Sequence, residues 1–102
     1  MINIGVRAHD FGKLPLDELT KKIESFRFTS AQLALKKALP GFENDFGKLS
    51  PGCGNYIRDG FNKRGIQISV LGCYINPVHP DPEKRQSALN RFVEHLRFSR
   101  DF

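Results

Sequence analysis

Three apolar, strand-like stretches of this chain each end in, or lead directly into, side chains that can bind a polar ligand. In chain order these side chains belong to Arg7, His9, Asp10, Lys36, Lys37, Asn76 and His79. Ligands of parallel α/β sheets bind at the carboxyl ends of the strands, so these residues are all predicted to face one mouth. The chemistry expected of them is contact with a substrate, because they do not form a complete set of catalytic groups.

Each of these residues also fits a purely structural role. His9 suits a solvated loop, Lys36 and Lys37 suit surface charge, and Asn76 before Pro77 is a common turn composition. The sequence has no GxGxxG, P-loop or GxSxG motif, and no pair of carboxylates at strand ends that would bind a divalent ion. Neither catalytic residues nor metal ligands are therefore predicted in this chain.

The composition predicts one soluble domain. The chain has 102 residues, 39% of them hydrophobic, and a net charge of +5. Its basic residues are interleaved with Asp and Glu, which indicates a solvated surface rather than a nucleic-acid interface. Cys53 and Cys73 lack CxxC or zinc-ligand spacing and are expected to stay reduced. With no signal-peptide pattern and no apolar run near the ~20 residues that cross a bilayer, we predict a cytoplasmic protein without a membrane partner.

The hydrophobic pattern predicts three units in which a strand precedes a helix. The strands are predicted at residues 2–8, 31–35 and 66–73, and the helices at residues 15–25, from Ser50 to Gly65 and at residues 81–102. Strands that alternate with helices of this length imply parallel pairing and right-handed crossovers. The predicted fold class is therefore α/β, with three βα units.

The last predicted helix has one apolar side. The residues at helical spacing that are expected to point inward are Leu89, Phe92, Val93 and Leu96. His95 lies among charged residues of the same helix and is expected on its surface.

The predicted strands also have two unlike faces. In the third strand the residues expected to face the helices are Ile66, Ile68 and Val70, and those that alternate with them are Gln67, Ser69, Leu71 and Cys73. One face of the sheet thus suits a layer of helices, and the other grows more polar toward its carboxyl end. The interior and mouth of a (β/α)8 barrel have this character, and a small open sheet with one solvated face fits the same alternation.

Three segments of the chain resemble the N-terminal part of a sugar phosphate isomerase/epimerase: "INIGVRAHDFGKLPLDELTKKI", "AQLAL" and "YINPVHPDPEKRQSALNRFVEHLRFSRDF". This is the group of xylose isomerase-like TIM barrels that also includes the endonuclease IV type of DNA repair enzyme. The most specific part is residues 76–85, an Asn followed by Asp-Pro-Glu-x-Arg at the start of a helix. The resemblance implies that residues 1–102 are a single partial domain, the N-terminal (βα)3 portion of a (β/α)8 TIM barrel.

The resemblance also implies a function. An intact enzyme of this family transfers a proton beside a carbonyl of a sugar or sugar phosphate, with a divalent metal such as Mn, Mg or Zn. The substrate-binding residues expected here are Arg7, His9, Lys36, Asn76 and His79. The family's metal ligands come from later strands, so none can be assigned to this chain. The fragment by itself is expected to hold no metal and to be inactive.

Two other functions remain open, and self-association is expected for any of the three. The chain is alternatively part of an endonuclease IV-type enzyme or a non-enzymatic interaction module. Three parallel strands leave both sheet edges unpaired, which predicts that copies of the chain associate.

Overall fold

The computed structural model describes residues 3–42 and 47–102 of the chain. The strands β1 (Gly5–Arg7), β2 (Ser30–Ala34) and β3 (Gln67–Gly72) form one parallel sheet in the order β1-β2-β3. The prediction of three parallel strands in an α/β fold is confirmed. The strands β1 and β3 are shorter than predicted, and β2 has the predicted length but lies one residue earlier; a 3₁₀ turn begins at Ala8 and a helix begins at Leu35. The predicted strand residue Ile2 lies outside the described residues.

Four α-helices in the described part of the chain connect and follow the strands. They are α1 (Leu16–Ser25), α2 (Leu35–Ala38), α3 (Pro51–Asn62) and α4 (Pro82–Phe98), and a 3₁₀ turn at Ser99–Asp101 follows α4. Side chains cap the first turns of α3 and α4: the Ser50 hydroxyl accepts a hydrogen bond from Cys53 N at 3.0 Å, and the Asp81 carboxylate accepts one from Glu83 N at 3.0 Å. None of the helices within residues 3–42 and 47–102 is long and apolar enough to cross a bilayer.

The hydrophobic core lies between one face of the sheet and the helices α1 and α3. Its largest fully buried side chains are those of Leu19, Ile23, Leu33, Leu35, Phe61 and Ile66. Arg64 joins the two helices from the end of α3: its guanidinium contacts Asp17 at 2.7 Å, Glu24 at 3.2 Å and the Thr20 hydroxyl at 3.0 Å. Apolar packing against the sheet and an ion-pair network at their edge therefore hold α1 and α3 together.

An irregularity in β3 changes the side of the sheet on which two of its residues lie. The pairs are Ala31 with Ile68 and then Gln32 with Val70. Ser69 is left out of the register, and its hydroxyl instead donates to Ala31 O at 3.2 Å. Val70 consequently lies on the polar face and is 51% exposed, whereas Leu71 packs against the core. The predicted sides of Val70 and Leu71 were wrong, because one unpaired residue reverses the alternation of a strand.

The side of α4 that packs against the rest of the molecule is the opposite of the predicted side. Phe92, Val93 and Leu96 are exposed, although they were expected to point inward. His95 was expected on the surface and is only 5% exposed. The residue four positions earlier, Arg91, faces the same way and reaches the carboxyl end of the sheet. This orientation lets the Arg91 guanidinium donate a hydrogen bond to the Tyr74 carbonyl, and it buries His95, whose ring bonds Arg91 O within the same helix.

Candidate functional site

Side chains from the ends of all three strands meet around Tyr74, two residues beyond β3. The Gln32 amide on β2 donates a hydrogen bond to the Tyr74 hydroxyl at 2.8 Å. The Lys37 ammonium in α2 lies 4.0 Å from the centroid of the Tyr74 ring, a cation–π contact. The His9 ring, in the turn after β1, meets the same ring edge-on with centroids 5.9 Å apart. The carboxyl ends of the strands therefore converge, as expected for a parallel sheet.

The local sequence leaves room for this convergence at Gly72, the last residue of β3. A Cβ atom at this position would lie 3.2 Å from the Gln32 amide nitrogen and 3.6 Å from the Tyr74 ring. The Gln32 amide would have to move by a few tenths of an ångström to admit a side chain there. Glycine at the strand end thus allows the hydrogen bond between Gln32 and Tyr74.

A cavity of about 380 Å³ opens beside Tyr74. It is lined by Lys13, Ala34, Leu35, Lys36, Lys37, Gly72, Cys73, Tyr74, Arg91 and His95. Basic side chains reach it from α2 and from α4, and none of its described lining residues is a carboxylate. Cations that converge in a concave site attract anions, and lysine and arginine are the usual ligands of phosphate. The cavity is therefore suited to an anionic ligand of the size of a small metabolite.

Arg91 and His95 attach α4 to this cavity. The Arg91 guanidinium donates a hydrogen bond to the Tyr74 carbonyl. His95 Nδ1 lies 2.9 Å from Arg91 O, and because a carbonyl only accepts, this nitrogen carries a proton. The two residues are one helical turn apart on one face of α4, so a single helix orientation places both at the end of the sheet.

A wider groove of about 780 Å³ adjoins the cavity. The two spaces share Lys36, Tyr74 and Arg91 as lining residues. The groove continues between the loop after β3 and the first half of α4, where it is lined by Ile75, Asn76, His79, Glu83, Lys84, Ser87 and Ala88. A ligand with an anionic end and a hydroxylated end has complementary partners in these two adjoining spaces.

Asn76 and His79 each have a structural task within the groove. The Asn76 side-chain oxygen accepts a hydrogen bond from Val78 N at 3.1 Å, which closes a turn. His79 Nδ1 accepts from Asp81 N at 3.0 Å and thereby orders the residue that caps α4. In neutral His79 the proton is then on Nε2, which is available to donate to a ligand. A histidine between the strand and the helix therefore both supports the helix start and lines the groove.

The remaining predicted site residues, Arg7 and His9, lie farther from the groove. Arg7 is exposed, forms a two-pronged ion pair with Asp10 at 3.2 and 3.3 Å, and lines neither the cavity nor the groove. His9 Nδ1 is buried without a hydrogen-bond partner among the described residues. Burial, followed by the charge of Lys37, lowers the pKa of His9, which favours its neutral form. Lys36, Asn76 and His79 are thus the predicted residues that line the open spaces.

The sequence alone did not point to Gln32, Tyr74, Arg91 or His95 as members of this site. Tyr74 immediately follows the predicted third strand, so its position in the sequence places it at the carboxyl edge for the same reason as Asn76. Arg91 and His95 have the four-residue spacing of one helical face, a signal that was outweighed by the more obvious apolar row on the other side.

The described residues contain no group of three or more His, Cys, Asp or Glu side chains placed to hold a metal ion. These residues do not fit the divalent metal that the resemblance implies, and no step of the proposed chemistry passes through such an ion.

Comparison of the chain with protein-family models, with curated proteins and with solved structures gave no match. The family suggested by the sequence therefore stays a prediction, and the function proposed below is based on the residues of the cavity and groove.

Proposed function

We propose that this chain binds a sugar phosphate at the carboxyl edge of its sheet, as the N-terminal (βα)3 portion of an isomerase/epimerase barrel. The observation that carries the proposal is the cavity beside Tyr74, into which Lys36, Lys37 and Arg91 bring positive charge. Sugar phosphates combine a dianionic group with several hydroxyls, and the adjoining cavity and groove offer partners for both.

The arrangement of the strands supports the barrel part of the proposal. The strands are parallel and lie in sequential order, as consecutive strands of a (β/α)8 barrel do. Helices cover one face, and Gln32 with Tyr74 occupies the other near the carboxyl end. This is the side on which a barrel of this class builds its ligand site.

The described residues are assigned binding and orientation of the substrate only. Lys36 and Lys37 hold the phosphate, and Asn76, Glu83 and Ser87 contact the hydroxylated part of the ligand in the groove. In an intact enzyme of this class, proton transfer beside the carbonyl requires a base and a group that stabilises the enediolate. Glu83 is the one carboxylate among the described lining residues of the cavity and groove, and it is assigned to the hydroxyls, so the chain alone is expected to bind without turnover.

Titration followed by amide chemical shifts tests this proposal. Ribose 5-phosphate is expected to shift the resonances of residues 34–37 and 72–74, and free ribose to bind at least about tenfold more weakly, because a charge-assisted hydrogen bond contributes about 1.5–3 kcal/mol. The variant Lys36→Met/Lys37→Met should lose about tenfold or more in affinity for the phosphate ester. Lys22→Met, a matched loss of charge at the end of α1, should bind as the unaltered chain does.

Two results would overturn the proposal. One is an equal affinity for ribose and ribose 5-phosphate, and the other is an equal effect of the substitutions at Lys22 and at Lys36 with Lys37. Tight binding of duplex DNA containing an abasic site, falling steeply as the salt concentration rises, would instead favour the endonuclease IV-type alternative.

A further inference from the structure

The exposed side of α4 carries a continuous apolar surface. It consists of the half-buried Leu89 and the exposed Phe92, Val93 and Leu96, named here the α4 stripe. Phe92, Val93 and Leu96 are 40%, 54% and 60% exposed. Their spacing of three and four residues places them along one face over two turns of the helix. Apolar side chains grouped in this way favour contact with a partner.

The opposite side of α4 is already committed to the fold. His95 is buried and bonded to Arg91 O, Phe98 packs against the core, and the Glu94 carboxylate accepts a hydrogen bond from Gly47 N at 2.8 Å. Rotation of the helix to bury the stripe would break the contacts of Phe98 and Glu94, whereas the bond between His95 and Arg91 O lies within α4. The stripe is therefore available for a partner without a rearrangement of the chain.

The charges around the stripe identify the kind of partner. Arg85 lies one turn before Leu89, Arg97 lies one turn after Val93, and Arg100 follows beyond the helix end. None of the three arginines forms an ion pair with a described residue, and the Arg85 guanidinium donates a hydrogen bond to His79 O at 3.2 Å. The other exposed residues beside the stripe, Gln86 and Asn90, are neutral and bonded to each other. The border of the apolar surface is thus basic at both ends.

We propose that the α4 stripe binds an amphipathic helix of another protein whose apolar face is bordered by Asp or Glu. The apolar rows would pack against each other, and the acidic border would meet the arginines at the ends of the stripe. A second copy of this chain is a poorer occupant, because Arg85 of one copy would meet Arg97 or Arg100 of the other in an antiparallel pair. In a parallel pair the same arginines would face each other, and like charges in contact are destabilising.

A pair of synthetic helical peptides tests the proposal directly. Both peptides carry leucine at the a and d positions; one has glutamate at the e and g positions, and the other has lysine there. Fluorescence anisotropy at low salt is expected to show at least about tenfold tighter binding of the glutamate peptide to the 102-residue chain. Added salt should reduce that preference, because the ionic contacts are at the surface.

Substitutions on the chain locate the binding surface. Phe92→Glu and Leu96→Glu should each weaken binding of the glutamate peptide by about tenfold or more, and Arg97→Glu/Arg100→Glu should reverse the preference between the two peptides. Tyr56→Glu is the matched control, since Tyr56 is an exposed aromatic residue on α3, and it should leave binding unchanged. Circular dichroism checks that every variant keeps its helices.

Three outcomes would overturn the proposal. They are equal affinity for the two peptides, an equal loss on substitution of Tyr56 and Phe92, and sedimentation that shows a dimer which Leu96→Glu dissociates. The last outcome would assign the stripe to self-association. None of these measurements depends on whether a sugar phosphate binds in the cavity, so the two proposals stand or fall separately.

Discussion

The helices α3 and α4 begin with similar sequences, but the apolar row of one is buried and that of the other is exposed. Each begins with a capping side chain followed by proline, and each has apolar residues at helical spacing. In α3 this apolar row is buried, with Ile57 and Phe61 in the core. In α4 the corresponding row is exposed, and the polar side containing His95 is buried. An amphipathic pattern therefore predicts a helix reliably but does not by itself say which face is covered.

The surfaces that receive the two helices explain the difference. The helix α3 packs against the apolar face of the sheet, where Leu33 and Ile66 are fully buried. The helix α4 reaches the carboxyl edge, where the carbonyl of Tyr74 needs a donor and Arg91 supplies it. A hydrogen bond from a charged group contributes at most about 3 kcal/mol, which is comparable with the gain from burying one apolar side chain. Polar contacts thus decide the orientation of α4.

The largest expected effect distinguishes the two apolar rows. Phe61→Ala should lower the free energy of unfolding by about 3–5 kcal/mol, because it leaves a cavity in the core. Phe92→Ala should lower it by less than about 1 kcal/mol, because Phe92 is 40% exposed. Urea unfolding of the two variants measures both values. Similar losses would mean that the α4 stripe is covered in solution and would remove the contrast between the helices.

A smaller effect is expected from the buried polar row of α4. His95→Ala should cost about 1–3 kcal/mol, because it removes a buried side chain and its hydrogen bond to Arg91 O. Gln86→Ala, an exposed position of the same helix, should change stability by about 0.5 kcal/mol or less. Thermal unfolding of the pair is the measurement. If His95→Ala proved as neutral as Gln86→Ala, α4 would have the orientation that the sequence predicts.

The smallest expected effect concerns the ion pairs that tie α3 to α1, and it depends on pH. Hydrogen bonds from Arg64 and then Lys21 lower the pKa of Asp17. A carboxyl whose pKa is lowered by folding stabilises the fold above its unfolded pKa of about 3.9, and this contribution is lost as the pH falls through the folded value. Asp17→Asn should therefore flatten the fall in melting temperature on acidification below about pH 4.

Asp59→Asn provides the control for this pH effect, because Asp59 is an exposed carboxylate of α3 that forms no ion pair with the described residues. Its acid profile should follow that of the unaltered chain. If Asp17→Asn and Asp59→Asn had the same profile, the link through Arg64 would contribute nothing to the stability of the helical layer.

The candidate site was predictable in part. Lys36, Asn76 and His79 were identified because polar residues after predicted strands must lie at the carboxyl edge, and all three line the cavity or the groove. Arg7 shares that position in the sequence, but a carboxylate three residues later pairs with it. Arg91 and His95 were missed because their positions depend on the packing of a helix distant in sequence from the strands they meet.

The sequence by itself determined the three strands, the three longer helices and their order, but not the short helix α2. Alternating apolar residues and helix caps such as Ser50 and Asp81 act over a few neighbouring residues, so local chemistry predicts three strands, the helices between them and a parallel sheet. Only the tertiary structure decided which side of α4 is covered and on which face Val70 lies. These outcomes depend on one residue left out of a strand register and on hydrogen bonds between residues far apart in sequence, for which no local pattern exists.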